Sequence, residues 1–354
     1  MTNKFRRAGS IIILLLVVSL TTGCLGIFKK KEFFSLEVTW NKEFGNVVLP
    51  DNIDKIESGT VLEIKAEPKE GYAFKEWKGD GITDKNKLNN PLEIKVNKNM
   101  KIEAIFVSED EIVTHALNID FDENQVTIEG LPEDPSQVVE GTIVKLKAVP
   151  KDGFLFEKWT GDVPEKQATQ ARVEFVVNED RDISIEIVEA PDPDSVVHTA
   201  NFEGADTQGW ANRGNLTVEL SDKFARTGSK SLEVVPGDGG WLGGASVQLK
   251  DYIETGVKYS FSGWLYHESE TPIAVTMQAQ YILDDGTEKG EEIYNWLHHI
   301  PEVPSGEWVK FEQELLVPEN LRDDTFLFFF EIVDDDLKQN TFYLDDIMVV
   351  EVAE

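Results

Sequence analysis

A single cysteine, Cys24, in 354 residues means that no disulfide can tie this chain to itself. Positive charge is scarce as well. Lys and Arg number 34 against 66 Asp and Glu, a formal net charge of −32, and such a surface repels a phosphate backbone. Nucleic acid is therefore a poor partner, while a hard cation such as calcium becomes a better one. Long apolar runs are missing except for IIILLLVVSL at residues 11–20, which is too short to cross a bilayer comfortably. Beyond residue 196 no helical period of useful length appears. There is no Gly-x-Ser-x-Gly elbow, no His-Glu-x-x-His pair and no phosphate loop. The 5 histidines are scattered, and the neighbours His298 and His299 would point to opposite faces of an extended strand. Length excludes a single core of ordinary size, so two to four domains are expected.

The lone thiol has a setting that explains it. A basic start, NKFRRAGS, leads into the apolar run and then into TTGC, the layout of an export signal with a small-residue cleavage site. This resembles a bacterial lipoprotein signal, in which the cysteine is acylated and becomes the mature N-terminus. Thr21 stands where that motif more often has Leu. The resemblance implies a signal peptide over 1–23, lipidation at Cys24, a tether over 24–32 and residence on the outer face of a bacterial membrane, at the cell surface.

Beyond the tether the chain repeats itself. GTVLEIKAEPKEGYAFKEWKGD (59–80) aligns without a gap to GTIVKLKAVPKDGFLFEKWTGD (141–162), and PLEIKVNKNMKIEAIF (91–106) has its counterpart in ARVEFVVNEDRDISIEI (171–187). Short β-branched runs bounded by Gly, Pro and Asn predict strands and turns in two domains, 33–107 and 113–189. Tyr72, Phe74 and Trp77 recur as Phe154, Phe156 and Trp159, and rings kept while their neighbours vary point to a core requirement before a ligand site. The pattern resembles the divergent B-repeat of bacterial surface proteins, a small β-grasp-like module, which implies a stalk. Asp120, Asp122 and Asn124 have calcium-loop spacing, but Gln125 and Leu131 replace the Gly and Glu that such a loop needs, so they read as acids on the wet face of a strand.

APDPDS (190–195) is a linker by composition. After it most of the tryptophans and tyrosines appear, in runs such as KYSFSGWLY, IAVTMQAQYIL and TFLFFFEIV that predict an all-β sandwich over 196–354. Trp210, Trp264 and Trp308 read as packing residues. NFEGADTQGWANRG, GGWLGGASVQL, KYSFSGWLY, EEIYNW, GEWVKFEQEL and FYLDDIMV follow in the order seen in carbohydrate-binding modules, and the stretch resembles family 22, with families 4 and 9 behind it. The resemblance implies a galactose-binding-like jelly roll that takes xylan or a related β-glycan in a cleft made by Arg213, Trp241, Tyr294, Phe329 and Glu331. Aromatic faces would lie against pyranose C–H groups, and Arg and Glu would hydrogen-bond hydroxyls. Phe329 stands two residues before Glu331, in a strand where the family often carries a tyrosine. The resemblance also implies a structural calcium ion at Glu203, Asp345 and Asp346.

Such modules often accompany a catalytic barrel of about 250 residues, and no span here could hold one. The expectation is a non-catalytic, membrane-anchored surface lipoprotein that binds polysaccharide, with secreted glycoside hydrolases as companions. The alternatives are an adhesin or envelope scaffold that binds protein, or an auxiliary subunit or glycosidase of unfamiliar type.

Overall fold

The computed structural model describes residues 31–238, 242–333 and 338–353, so the signal, Cys24 and Trp241 lie outside the described residues. Strands built on strict alternation dominate: Leu92, Ile94 and Val96 are buried while Glu93 and Lys95 between them are exposed. Among the described residues the helical pieces are 3-10 turns of 3 residues.

Each repeat is built on a pair of three-stranded sheets, with a short two-stranded ladder beside them. In the first, Leu36–Trp40, Met100–Ser108 and Tyr72–Gly79 make one sheet in that order, and Gly45–Val48, Thr60–Pro68 and Leu92–Val96 make the other. The opening and closing strands run parallel, from Leu36 opposite Met100 to Trp40 opposite Ala104. The second repeat reproduces this with Leu117–Asp120 parallel to Arg181–Glu189, Phe154–Gly161 on the far side of the latter, and a second sheet of Val126–Glu129, Ile143–Pro150 and Arg172–Val176.

The shared aromatics answer to packing, as their retention suggested. Trp77 and Trp159 are each 1% exposed, and each Nε1 donates to a carbonyl, Asn89 O at 2.9 Å and Gln170 O at 3.0 Å. Phe156 is buried, Phe74 packs against Trp77 and Phe106, and Tyr72 stacks on Phe44 at 4.5 Å. The Gly-Asp pair that follows each tryptophan is a turn device. A Cβ on Gly79 or Gly161, both at positive φ, would stand 2.2 Å from Lys101 O or 2.1 Å from Asp182 O. Asp80 and Asp162 then accept the amides of Lys101 and Asp182 at 3.0 and 2.9 Å. Asp120 is exposed at the end of its strand, whereas Asp122 belongs to a turn, where it accepts the Asn124 amide at 2.8 Å.

The sandwich begins at Val196–Ala200, which pairs with Phe342–Glu351 directly after the Pro193–Ser195 turn. Leu216–Ser221, Ser231–Pro236, Phe342–Glu351, Lys258–His267 and Val309–Leu316 complete a six-stranded sheet. Facing it is a five-stranded sheet in the order Ala211–Gly214, Leu242–Gln248, Leu321–Ile332, Ile273–Leu283, Glu291–Val303. Phe261, Phe311, Phe326, Phe328, Phe330 and Leu344 fill the space between them with no exposed surface. Trp210 belongs to this core, and Trp264 and Trp308 pack with Tyr266, Tyr343 and Phe224 in a second cluster.

Arg226 joins the second repeat to the sandwich. Its guanidinium is 3.7 Å from the centre of the Trp264 ring. Nη1 donates to Asp346 Oδ2 at 2.8 Å, and Nη2 donates across the boundary to Phe156 O at 2.9 Å and Glu157 O at 2.8 Å. In return the Ala171 amide donates to Arg226 O at 2.7 Å, and Thr169 Oγ1 donates to Trp308 O at 2.9 Å. The second repeat thus rests against the six-stranded sheet and leaves the outer face of the five-stranded sheet open.

Candidate functional site

That open face is laid out by strand parity. Val275, Met277, Ala279 and Tyr281 point into the core, so Thr276, Gln278 and Gln280 lie on the outer side. Register places Glu331, Phe329 and Leu327 beside them on one flank, and His299, Trp296 and Tyr294 on the other. A register shift between Met277 and Gln278 is what lets Trp296 and His299, an odd number of residues apart, share the face. Ser246 and Gln248 continue the rows beyond Phe329 and Leu327. Gly244 makes room here, since a Cβ on it would lie 1.9 Å from Phe330 O.

Arg213 enters from the neighbouring strand, at a register shift between Asn212 and Gly214. Its guanidinium lies 4.1 Å from the Phe329 ring centre and 5.8 Å from that of Tyr294. Nη1 donates to Glu331 Oε2 at 3.0 Å and to Gly243 O at 3.4 Å, while Nη2 donates to Gln280 Oε1 at 3.1 Å. Gln280 passes the network on, its Nε2 donating to Glu292 Oε1 at 2.6 Å and to the Tyr294 hydroxyl at 3.1 Å. The ion pair is largely shielded, with side-chain exposures of 11% for Arg213 and 19% for Glu331. The rings beside it are open: Tyr294 is 50% and Trp296 55% exposed. Burial pushes the Glu331 carboxyl above its ordinary value of 4.5, against the pull of Arg213, Lys338 and Gln278.

Of the residues singled out in the sequence, the structure brings Arg213, Tyr294 and Glu331 together. Trp241 lies outside the described residues. Phe329 requires a correction, because it has no exposed surface and lies beneath Arg213, so it supports the guanidinium and cannot present a ring to a ligand. Gln280 and Trp296 were not anticipated. The signal for Trp296 was present in EEIYNW, since residues two apart on a strand share a face and Tyr294 was already placed there.

The acids expected to hold calcium are engaged by protein donors. Glu203 accepts the Ser229 and Lys230 amides, each at 2.7 Å. Asp345 accepts the Arg226 amide at 2.8 Å, and Asp346 takes the Arg226 guanidinium and the Thr227 hydroxyl. Burial, and then the neighbouring Asp346, push the Asp345 carboxyl well above the usual carboxylate range. Among the described residues no group of three or more His, Cys, Asp or Glu side chains could hold a metal ion. Calcium takes six to eight oxygens, and here the carboxylate oxygens of this set accept from Ser229, Lys230, Arg226 and Thr227.

Exposed rings beside a fixed Arg–Glu pair suit a ligand with apolar faces and many hydroxyls. Paired acid–base work on a glycosidic bond wants two carboxylates about 5 to 10 Å apart with the bond between them, whereas Arg213 and Gln280 stand between Glu331 and Glu292. The class that this sandwich and face resemble is the carbohydrate-binding module. Residues 194–337 match the family model described as a carbohydrate binding domain. Residues 36–110 and 122–206 match that of the divergent InlB B-repeat domain. The end of the second match overlaps Val196–Ala200, which the pairing assigns to the sandwich. Endo-1,4-beta-xylanase A of Thermotoga neapolitana is 34% identical over 161 residues, and that of Thermotoga maritima 31% over 160. Each match spans 45% of this chain but only 14% of the relative. Among solved structures, the C-terminal family 22 carbohydrate binding module of Clostridium thermocellum Xyn10B is 25% identical, with 46% of this chain and 97% of that one covered at a TM-score of 0.39. The CBM22-1 xylan-binding domain of Paenibacillus barcinonensis Xyn10C is 21% identical, with 45% and 96% covered at the same TM-score of 0.39.

Proposed function

We propose that the chain is a non-catalytic binder of xylan or a related β-glycan, held on the outer face of a membrane by an acylated Cys24 and displayed by its two β-repeats. The observation that carries the binding reading is the shielded Arg213–Glu331 pair beside the open Tyr294 ring. Xylan is favoured by the matched stretch of two proteins named endo-1,4-beta-xylanase A. The sugar's C–H face would lie on the ring, and hydroxyls would bond the polar groups that Gln280 links together. Secreted glycoside hydrolases acting on the same polymer are the natural companions of such a binder. The test is retention of the full chain on insoluble xylan with no release of reducing sugar from soluble xylan.

Acid should weaken binding through Glu331. An ionised carboxylate accepts sugar hydroxyls, and burial raises the pKa of this one, so affinity is expected to be flat near neutral pH and to fall as pH drops through a value above 4.5. For stability the sign is opposite. A carboxyl whose folded pKa lies above its unfolded one favours the folded state as it protonates, so Glu331 does not itself drive acid unfolding. Binding titrations and melting curves across that range check both halves, and affinity unchanged to pH 4 would count against the role of Glu331. For the anchor, Cys24→Ala should leave the protein in the aqueous phase or unprocessed, and unchanged mobility together with unchanged partitioning would argue against acylation.

A further inference from the structure

We propose that Trp296, buttressed by His299, is an additional subsite that takes a further pyranose ring of the same glycan and makes the face select for chain length. The inference rests on the glycan-binding reading above, and three observations carry it.

The first is exposure. Trp296 is 55% exposed and Tyr294 beside it 50%, so the two rings form a contiguous open aromatic patch, the kind of surface that marks a binding site. The second is placement. Trp296 follows Tyr294 by two residues on Glu291–Val303, so the two rings stand on one face roughly 7 Å apart at the strand's rise. Across the sheet, Trp296 is paired with Gln278, and Gln278 with Phe329, the ring under Arg213. Two strand spacings, roughly 10 Å, separate the backbone of Trp296 from that of Phe329. Trp296 is thus continuous with the Arg213–Tyr294 cluster but lies outside its hydrogen-bond network. The third is support. The His299 ring lies 5.2 Å from that of Trp296 at 43°, brought to this face by the register shift in the strand pairing. A neighbouring ring limits the rotamers open to Trp296 and lowers the entropy lost when a sugar lands on it.

A short oligosaccharide centred on Arg213, Glu331 and Tyr294 leaves Trp296 uncovered, whereas a longer one reaches it. Affinity should therefore climb with chain length, and Trp296 should account for the later part of the climb. The experiment is a calorimetric series from xylobiose to xylohexaose with the full chain and its Trp296→Ala, His299→Ala and Arg213→Ala variants, the first two checked for an unchanged melting temperature and the third for being folded at the temperature of the titration. In Trp296→Ala the climb is expected to level off early, leaving xylohexaose about tenfold or more weaker than with the unaltered chain. His299→Ala should give the same pattern with a smaller loss, and Arg213→Ala should weaken every length. Parallel curves for Trp296→Ala and the unaltered chain, whether coincident or offset by one constant factor, overturn the subsite and leave the glycan-binding reading standing. Failure of the unaltered chain to bind any length overturns that reading, and the subsite with it.

Discussion

Arg213→Ala is expected to remove measurable retention on xylan. A single guanidinium bonds Glu331 and Gln280, lies over Phe329 and adjoins Tyr294. Its loss leaves the Glu331 carboxylate shielded from water without its cation, and frees Gln280 from the geometry that aims it at Tyr294 and Glu292. Truncating a binding hot spot costs about 2 kcal/mol or more, some thirtyfold in affinity. Breaking a shielded ion pair on one side also costs stability, up to about 3–5 kcal/mol when fully buried. Arg213→Lys separates the two effects. It keeps the positive charge beside Glu331 but lacks the planar fork that reaches Glu331 and Gln280 together. Binding should therefore fall nearly as far as in the alanine variant, while most of the melting temperature is kept. Retention on xylan by Arg213→Lys at full strength would show that the fork is not what organises the face.

Arg226→Ala should produce the largest loss of stability. The side chain is 3% exposed and carries the pairing to Asp346 as well as both donations into the second repeat, to Phe156 O and Glu157 O. Removing it leaves Asp346 without its cation beside Asp345, whose carboxyl burial already disfavours as an anion. A loss of about 3–5 kcal/mol follows for a buried pair broken on one side. Because the same residue ties two domains, the melt should also lose cooperativity, with the second repeat and the sandwich unfolding separately and the 190–195 linker becoming open to protease. A single transition at the original temperature, with the linker still resistant, would show that the joint is held elsewhere.

The parts legible in the sequence are those written in local pattern. Alternation in LEIKV and its counterpart gives strands directly, and a gapless internal repeat marks the tryptophans as core because each copy must bury the same ring. Arg213, Tyr294 and Glu331 were legible through the order of short motifs, each on a strand whose parity can be read. Phe329 was misplaced for a reason that parity cannot reveal. It does lie on the outer face, but an arginine from two strands away covers it. Trp296 was within reach of the same parity argument, whereas His299 was not, since the register shift that turns it onto the face leaves no mark in the residues around it. The Arg226 joint was invisible, because its partners lie some 70 to 120 positions away along the chain. Nothing in ARTGSKSLEV separates a buried interdomain arginine from a solvated one.

The measurement closest to the central claim is calorimetric titration of xylohexaose into the full-length chain at neutral pH, run beside Arg213→Lys. One binding site per chain, with a binding enthalpy that becomes more negative on warming as apolar surface is buried, and a loss of about thirtyfold or more in the lysine variant, is the predicted result. Absence of binding by the unaltered chain, or equal affinity in the two proteins, would contradict it.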